Sequence, residues 1–321
     1  SLAARSPAMR LIRALSDVRP EDREASAAIG NFDGVHLGHQ AVLDRARDHA
    51  APGKLAVLTF EPHPREVFVP DAPPFRLMNA EARRHRLDRL GVDLLFELPF
   101  APALHGLTAD AFCRRVLAEG LGLAHATVGA DFRFGKGRTG TAEGLERAGD
   151  ALGFGVTIAD LVSPLPGAPR ISSTAIREAL SAGRPEDAAR MLGHWHRIEG
   201  PVLHGDKRGR DLGYPTANMG LDGLHRPRFG VYAVLVDILS GPHAGTWHGA
   251  ASLGVRPMFG ENLPNLETFL FDFEGDLYGT HLSVALVAFL RPERRFDGVA
   301  DLVAQMQADC AAARAVLERT R

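Results

Sequence analysis

A glycine-rich decapeptide, Gly30-Asn31-Phe32-Asp33-Gly34-Val35-His36-Leu37-Gly38-His39, constrains the fold of this chain more than any other stretch. An apolar run, Ala27-Ala28-Ile29, precedes it, and a segment of helical periodicity, Gln40 to Ala50, follows. Strand, glycine turn with two histidines, helix: an α/β protein presents backbone N–H groups and imidazoles to an anion in this way. Further apolar runs at Leu55–Phe60, Asp93–Leu98, Ala126–Gly129 and Val156–Leu161 alternate with amphipathic stretches such as Glu81–Leu90 and Ala109–Leu121. The alternation predicts a doubly wound parallel α/β sheet, in which ligands bind beyond the carboxyl ends of the strands.

The pattern changes after Leu192. Candidate strands Arg197–Leu203, Gly230–Asp237, Trp247–Leu253, Leu266–Asp272 and Leu282–Phe289 are joined by turns with no room for crossover helices. That predicts a small antiparallel β-barrel. The alanine-rich tail, Gly298 to Arg321, reads as one closing helix. A chain of 321 residues can hold two cores. With the fold reading begun at Met9, the expected domains are 9–185 and 186–321.

A net charge of −2 leaves no basic footprint for sequence-independent nucleic-acid binding. No apolar run approaches the ~18 residues of a membrane span, and no basic-then-apolar leader is evident. Two cysteines, Cys113 and Cys310, make neither a disulfide framework nor a zinc spacing, so a reducing cytoplasm is the default compartment. The expected partners are small molecules rather than nucleic acid or membrane, with self-association left open.

His36 and His39 straddle Gly38, so both rings can face one ligand while the backbone comes close. Imidazole N–H groups and the helix dipole both favour phosphate there. The alternative is a surface or metal-ligating pair, for which Asp33 is the one near third ligand. Ser172, Ser173 and Thr174 make either an N-cap or a phosphate site; Arg177, one turn on, shares a face with Thr174. The stretch from Asp131 to Gly140 sets Phe132 and Phe134 among Arg133, Lys136 and Arg138. Lys136 is followed by Gly137, which rules out a P-loop. His63, in Glu61-Pro62-His63-Pro64, is as consistent with a structural role as with a ligand contact.

In the second half, Gly205, Gly209 and Gly213 are four apart, with Lys207, Arg208 and Arg210 between them, and can wrap a phosphate with backbone N–H groups. Thr216 and Asn218, in Pro215-Thr216-Ala217-Asn218, form a turn by composition, or a pair of hard, neutral oxygen ligands for Mg2+ on ATP. Glu267 sits in a strand opposite in facing to Leu266 and Leu270, as an exposed glutamate or a general base. Asp272-Phe273-Glu274-Gly275-Asp276 lacks the distal glutamate of a calcium loop, and a tight hairpin about Gly275 is expected.

These blocks resemble the nucleotidyltransferase superfamily, and the whole chain from Met9 resembles the prokaryotic bifunctional riboflavin kinase / FAD synthetase family. The resemblance is carried by Gly30–His39, Thr59-Phe60-Glu61-Pro62-His63-Pro64, Val128–Gly135, Ile171–Arg177, Gly209–Asn218 and Asp276-Leu277-Tyr278-Gly279. It implies that the first half joins FMN to the AMP part of ATP, releasing pyrophosphate. His36 and His39 would then stabilise phosphate charge, and Arg177 would hold the pyrophosphate. Gly30, Asn31, Phe32, Asp33, Gly38 and Ser172–Thr174 would bind ATP. Asp131, Phe132, Arg133, Phe134 and His63 would meet the flavin. In the second half it implies phosphorylation of riboflavin, with Glu267 activating the ribityl hydroxyl and Thr216 and Asn218 on Mg2+. The expected co-substrate is thus ATP with Mg2+, and the flavins are riboflavin, FMN and FAD.

Ser252 and Met258 depart from the Asn and Thr usual in the family, in a segment that packs beside its flavin pocket. His194-Trp195-His196 replaces the usual connector. Alternatives are a chain with one working module, a flavin carrier without turnover, and an adenylyltransferase for another phosphorylated substrate.

Overall fold

Six apolar runs of the first half pair as parallel strands: β1 (Arg10–Ile12), β2 (Ser26–Ile29), β3 (Leu55–Glu61), β4 (Leu94–Pro99), β5 (His125–Gly129) and, after the short hairpin of β6 (Arg133–Phe134) and β7 (Gly140–Thr141), β8 (Gly155–Ala159). This is a computed structural model, and it describes residues 8–160, 163, 166–167, 170–204, 212–258 and 261–320. β2 and residues 55–60 of β3 are buried throughout, which is why they read as continuous apolar runs rather than alternating ones. The helices are α1 (Leu37–Asp48), α2 (Pro64–Phe68), α3 (Ala80–Arg89), α4 (Pro102–His105), α5 (Ala109–Ala111, continued by a π-helical Phe112–Gly120) and α6 (Ala142–Leu152).

The strand order is β1-β4-β3-β2-β5-β8. The chain steps from β2 through β3 to β4 on one side, then places β5 on the other side of β2. The crevice beyond the carboxyl ends of β2 and β5 is therefore the topological switch point. The loops leaving those two strands are the histidine decapeptide and the Asp131–Gly140 stretch. β1 was not expected: three residues at a sheet edge are too few to show a period. The expected strand end at Leu161 lies outside the described residues.

The second half forms β9 (Arg197–Pro201), β10 (Ala217–Gly220), β11 (Gly230–Ile238), β12 (Gly245–Met258), β13 (Glu261–Leu270) and β14 (His281–Arg291), antiparallel in the order β10-β13-β12-β11-β14-β9. The Leu203 N–H donates to the Asn218 carbonyl at 2.8 Å and bridges the two edge strands, leaving a nearly closed barrel. Met219, Tyr232, Leu253, Leu266 and Val284 fill it. The closing helix, α9 (Val299–Glu318), buries Ala313 and Leu317 against Ala233, Ala250, Phe271 and Val287. Trp195 of the unusual connector packs in that layer, and His196 is buried beside it.

Two expectations are corrected. β13 and β14 are not neighbours, so the acidic segment about Gly275 links separated strands and is no hairpin turn. Pro-Thr-Ala-Asn runs into β10 rather than forming an isolated turn, because β13 offers it a ladder. The chain forms two compact units, residues 1–72 with 83–171, and residues 73–82 with 172–321. That break precedes the expected one at 185/186. The apolar face of α7 (Ser173–Ser181), built from Ile176, Ala179 and Leu180, packs on Ala188 and Leu192 of α8 (Pro185–Leu192) and on Leu77.

Candidate functional sites

The histidine loop holds an unusual backbone. Phe32, Gly34 and Val35 lie at φ 52°, 87° and 45°, the left-handed region that costs a non-glycine residue on the order of 1–2 kcal/mol. Burial offsets that cost, since Phe32 is 2% exposed and Val35 fully buried. Hydrogen bonds fix the loop from outside. The Asn31 carbonyl accepts from Thr59 Oγ1 at 3.2 Å and from an Arg83 N–H at 3.1 Å, and the Gln40 amide donates to the Val35 carbonyl at 2.9 Å. Asp33 is buried within the turn.

His36 caps α1 with a reciprocal pair of bonds. Its Nδ1 accepts from the His39 N–H, and the His39 Nδ1 accepts from the His36 N–H, both at 3.2 Å. The rings stack with centroids 3.6 Å apart. Because each Nδ1 is an acceptor, the ring proton of each sits on Nε2, and both imidazoles are N–H donors on their outer edge. Burial, and then the repulsion that a protonated His36 would exert, hold the His39 pKa well below the ordinary histidine value, so this ring is neutral at pH 7. A methyl on Gly38 would meet His36 Cε1 at 2.8 Å, which is why this position takes glycine. Gly30 has no such constraint, its nearest neighbour being the Phe32 ring at 3.6 Å.

Behind the loop lies a buried ion network that the sequence reading missed. Arg83, 1% exposed, donates to Glu61 Oε1 at 2.8 Å and lies 3.6 Å from Glu97, itself paired with Arg84. On a polar helix Arg83 looks like any solvated charge; only the tertiary fold brings it to Asn31.

At the loop after β5, Asp131 pairs with Arg170 at 2.7 Å. Phe132 and Phe134 stack at 5.4 Å, but Phe134 is buried on Phe112 and belongs to the sheet's core. Phe132 is the outer ring of the pair, and Arg133 is exposed beside it. His63 caps α2, its Nδ1 accepting from the Arg65 N–H at 3.1 Å, the same device as at His36.

Ser172, Ser173, Thr174 and Arg177 belong to the second compact unit, the histidines to the first. Ser172 is the N-cap of α7, its Oγ accepting from the Ala175 N–H at 3.1 Å; Ser173 is half-buried and Thr174 exposed. The Arg177 Nε donates to the Phe75 carbonyl at 2.6 Å, with the guanidinium over the Phe75 ring.

In the barrel, register lines up the candidate polar residues. Asn218 of β10 faces Glu267 of β13, which faces Ser252 of β12. Their neighbours in sequence, Ala217, Met219, Leu266 and Leu253, point into the core, so these three share the outer face, as does Thr216 by alternation. Arg256 Nε donates to Glu267 Oε1 at 2.9 Å, and the Asn265 amide donates to Asn218 Oδ1 at 3.0 Å. Neither Arg256 nor Asn265 was anticipated; strand alternation from Glu267 would have placed Asn265 on the same face. Gly213 is exposed at φ 83°. Gly205, Lys207, Gly209 and Arg210 lie outside the described residues, as does the Met258 side chain.

Residues 18–175 match the family model described as FAD synthetase, and residues 192–317 the model described as riboflavin kinase. A bifunctional riboflavin kinase/FMN adenylyltransferase of Pseudomonas fluorescens is 45% identical over 96% of this chain and 98% of its own length. The Escherichia coli K12 protein of that name is 38% identical (94% and 96%), and that of Bacillus subtilis 35% (91% and 92%). A solved Streptococcus pneumoniae structure, described as a macrolide-efflux protein, aligns with TM-score 0.77 and 32% identity, covering 94% of this chain and 97% of that one. Among the described residues of this chain, no helix is long and apolar enough to cross a membrane.

Proposed function

The chain belongs to the bifunctional riboflavin kinase/FMN adenylyltransferase family, with flavins and ATP as its substrates, and from that premise we propose which residues perform each step. In the first unit, a phosphate oxygen of FMN attacks the α-phosphorus of ATP, forming FAD and releasing pyrophosphate. No covalent enzyme intermediate is needed, so positioning and charge stabilisation supply the rate. The Nε2–H groups of His36 and His39 donate to the phosphates at the N-terminus of α1, where the helix dipole adds to them. The observation that carries this assignment is the reciprocal cap, which orients both rings before any ligand arrives. Phe132 offers its face to the flavin. Arg177, Ser172, Ser173 and Thr174 keep the phosphate-binding role that the resemblance implies.

In the barrel, Glu267 accepts the proton of the riboflavin hydroxyl that attacks the γ-phosphorus of ATP, yielding FMN and ADP. Arg256 orients the carboxylate. Thr216 and Asn218 fit Mg2+: both offer hard, neutral oxygens, and Asn218 is held in a buried setting where the Asn265 Oδ1 has no hydrogen-bond partner among the described residues. When bound, the cation neutralises phosphate charge. Two free thiols, Cys113 buried and pushed up to about 11, and Cys310 half-buried, suit a reducing cytoplasm.

Incubation with riboflavin, ATP and Mg2+, followed by chromatography of the flavins, tests the reading. FMN rises and then declines as FAD accumulates. FMN alone would overturn the assignment of the histidine loop, and bound flavin without product would favour a carrier.

A further inference from the structure

Two buried polar residues of the barrel, Asn265 and Thr268, have a side-chain oxygen with no hydrogen-bond partner among the described residues. Asn265, 2% exposed, is the one that shares a face with Glu267 and Asn218. Burying an amide oxygen unpaired is costly, and such groups in folded proteins call for an explanation. The residue has a strand neighbour on each side, Gly220 on β10 and Gly254 on β12, both glycines, and the Glu293 carboxylate fills the place where a side chain at Gly254 would stand. Its other end is occupied: the Nδ2 donates to Asn218 Oδ1 at 3.0 Å.

That bond has a chemical consequence for Asn218. An amide side chain can present either its oxygen or its NH2 to a ligand, and the two are nearly identical in shape. A donor placed on Oδ1 fixes which end is which. A carbonyl oxygen has two lone pairs, so accepting from Asn265 leaves it the capacity to bind a cation. The orphaned Asn265 Oδ1 is an acceptor awaiting a donor, and hard cations that keep part of their water shell bring donors with them.

We propose that Asn265 is a positioning residue for Asn218: it sets the amide oxygen toward the cation–nucleotide complex and offers its own Oδ1 to that complex's hydration shell. The inference rests on the reading that Asn218 holds Mg2+, and its test separates the two. The dissociation constant of Mn2+·ADP is measured by water-proton relaxation on the full chain, for wild type, Asn218→Ala, Asn265→Leu and the double variant. Circular dichroism and a thermal melt verify folding. Asn265→Leu weakens Mn2+·ADP binding about tenfold, as expected for loss of one well-placed bond worth roughly a decade of affinity. The double variant loses less than the sum of the two single losses, because Asn265 acts in part through Asn218.

Wild-type affinity in Asn218→Ala would overturn the metal reading itself. Weakened binding in Asn218→Ala with wild-type affinity in Asn265→Leu would overturn the present proposal alone, as would strictly additive losses. If Asn265→Leu fails to fold, Asn265→Thr replaces it, being polar and suited to a strand, with the same expected loss. In turnover, the effect appears in the KM for Mg2+·ATP with the KM for riboflavin unchanged.

Discussion

The histidine loop and the barrel face, each proposed as a phosphate site, are built on opposite structural principles. The loop holds its donors by backbone: three residues at positive φ, two caps and a glycine pressed against an imidazole. The barrel face holds its groups by register, with Asn218, Glu267 and Ser252 side by side on three paired strands. A loop site of this kind fails when the backbone shifts, whereas a strand site fails when a side chain loses its chemistry. One chain thus contains both a turn of left-handed backbone and a rigid ladder, and each should break in its own way.

The largest contrast comes from chemistry in the barrel. Glu267→Gln keeps shape and register but cannot accept a proton, so riboflavin phosphorylation falls by roughly 10²–10⁴. Adenylylation of supplied FMN continues, which chromatography of the flavins reads directly; equal loss of both would break the separation. Next, His36→Ala removes a donor and the cap together, and FAD formation falls by about 10²–10³ with the kinase step intact. A smaller effect sharpens the backbone argument. Gly38→Ala leaves every functional group in place but forces the His36 ring away from its 2.8 Å overlap, for a roughly tenfold loss in adenylylation. Unchanged kcat/KM in Gly38→Ala would mean that the cap does not position the rings.

The smallest effect treats both units alike. Burial, assisted by His49, depresses His125 in the sheet to about 4, and burial with His194 and His225 depresses His196 in the barrel unit to about 3. A histidine lowered in the folded state binds its proton first when unfolded, so its stabilisation is complete above the unfolded value near 6.5. It is lost as the pH falls toward the folded value. Between pH 7 and 5, His196 alone costs on the order of 1–2 kcal/mol; the less buried His125 costs less. Urea unfolding at the two pH values checks this, with loss in only one unit as the contrary result.

Much of this was legible before the structure. The strand-loop-helix grammar of Gly30–His39 marks a βα turn at the sheet's switch point, and alternation around Glu267 separates it from Leu266 and Leu270 in the core. Arg83 and Asn265 were not legible, because their significance is burial, which local pattern does not encode for a polar residue. Phe134 was misjudged for the related reason that an aromatic beside cations looks like a binding face, while Phe112, distant in sequence, draws it into the core. The hairpin about Gly275 failed because strand order, unlike strand existence, depends on pairings far along the chain.

The decapeptide from Pro73 to Ala82 carries a consequence for how such a chain could be cut or recombined. It departs from the first unit to serve the second: Leu77 packs with α7 and α8, the His225 N–H donates to the Arg76 carbonyl, and Asn79 donates to the Glu199 carbonyl. A single genetic break at residue 172 would therefore deliver a kinase half stripped of a structural strip, with Leu77 missing from its core and Arg177 deprived of the Phe75 carbonyl. The two compact units are adjacent in the gene, but no one junction follows the boundary between them. Domain shuffling, natural or engineered, has to carry that strip along or supply a substitute.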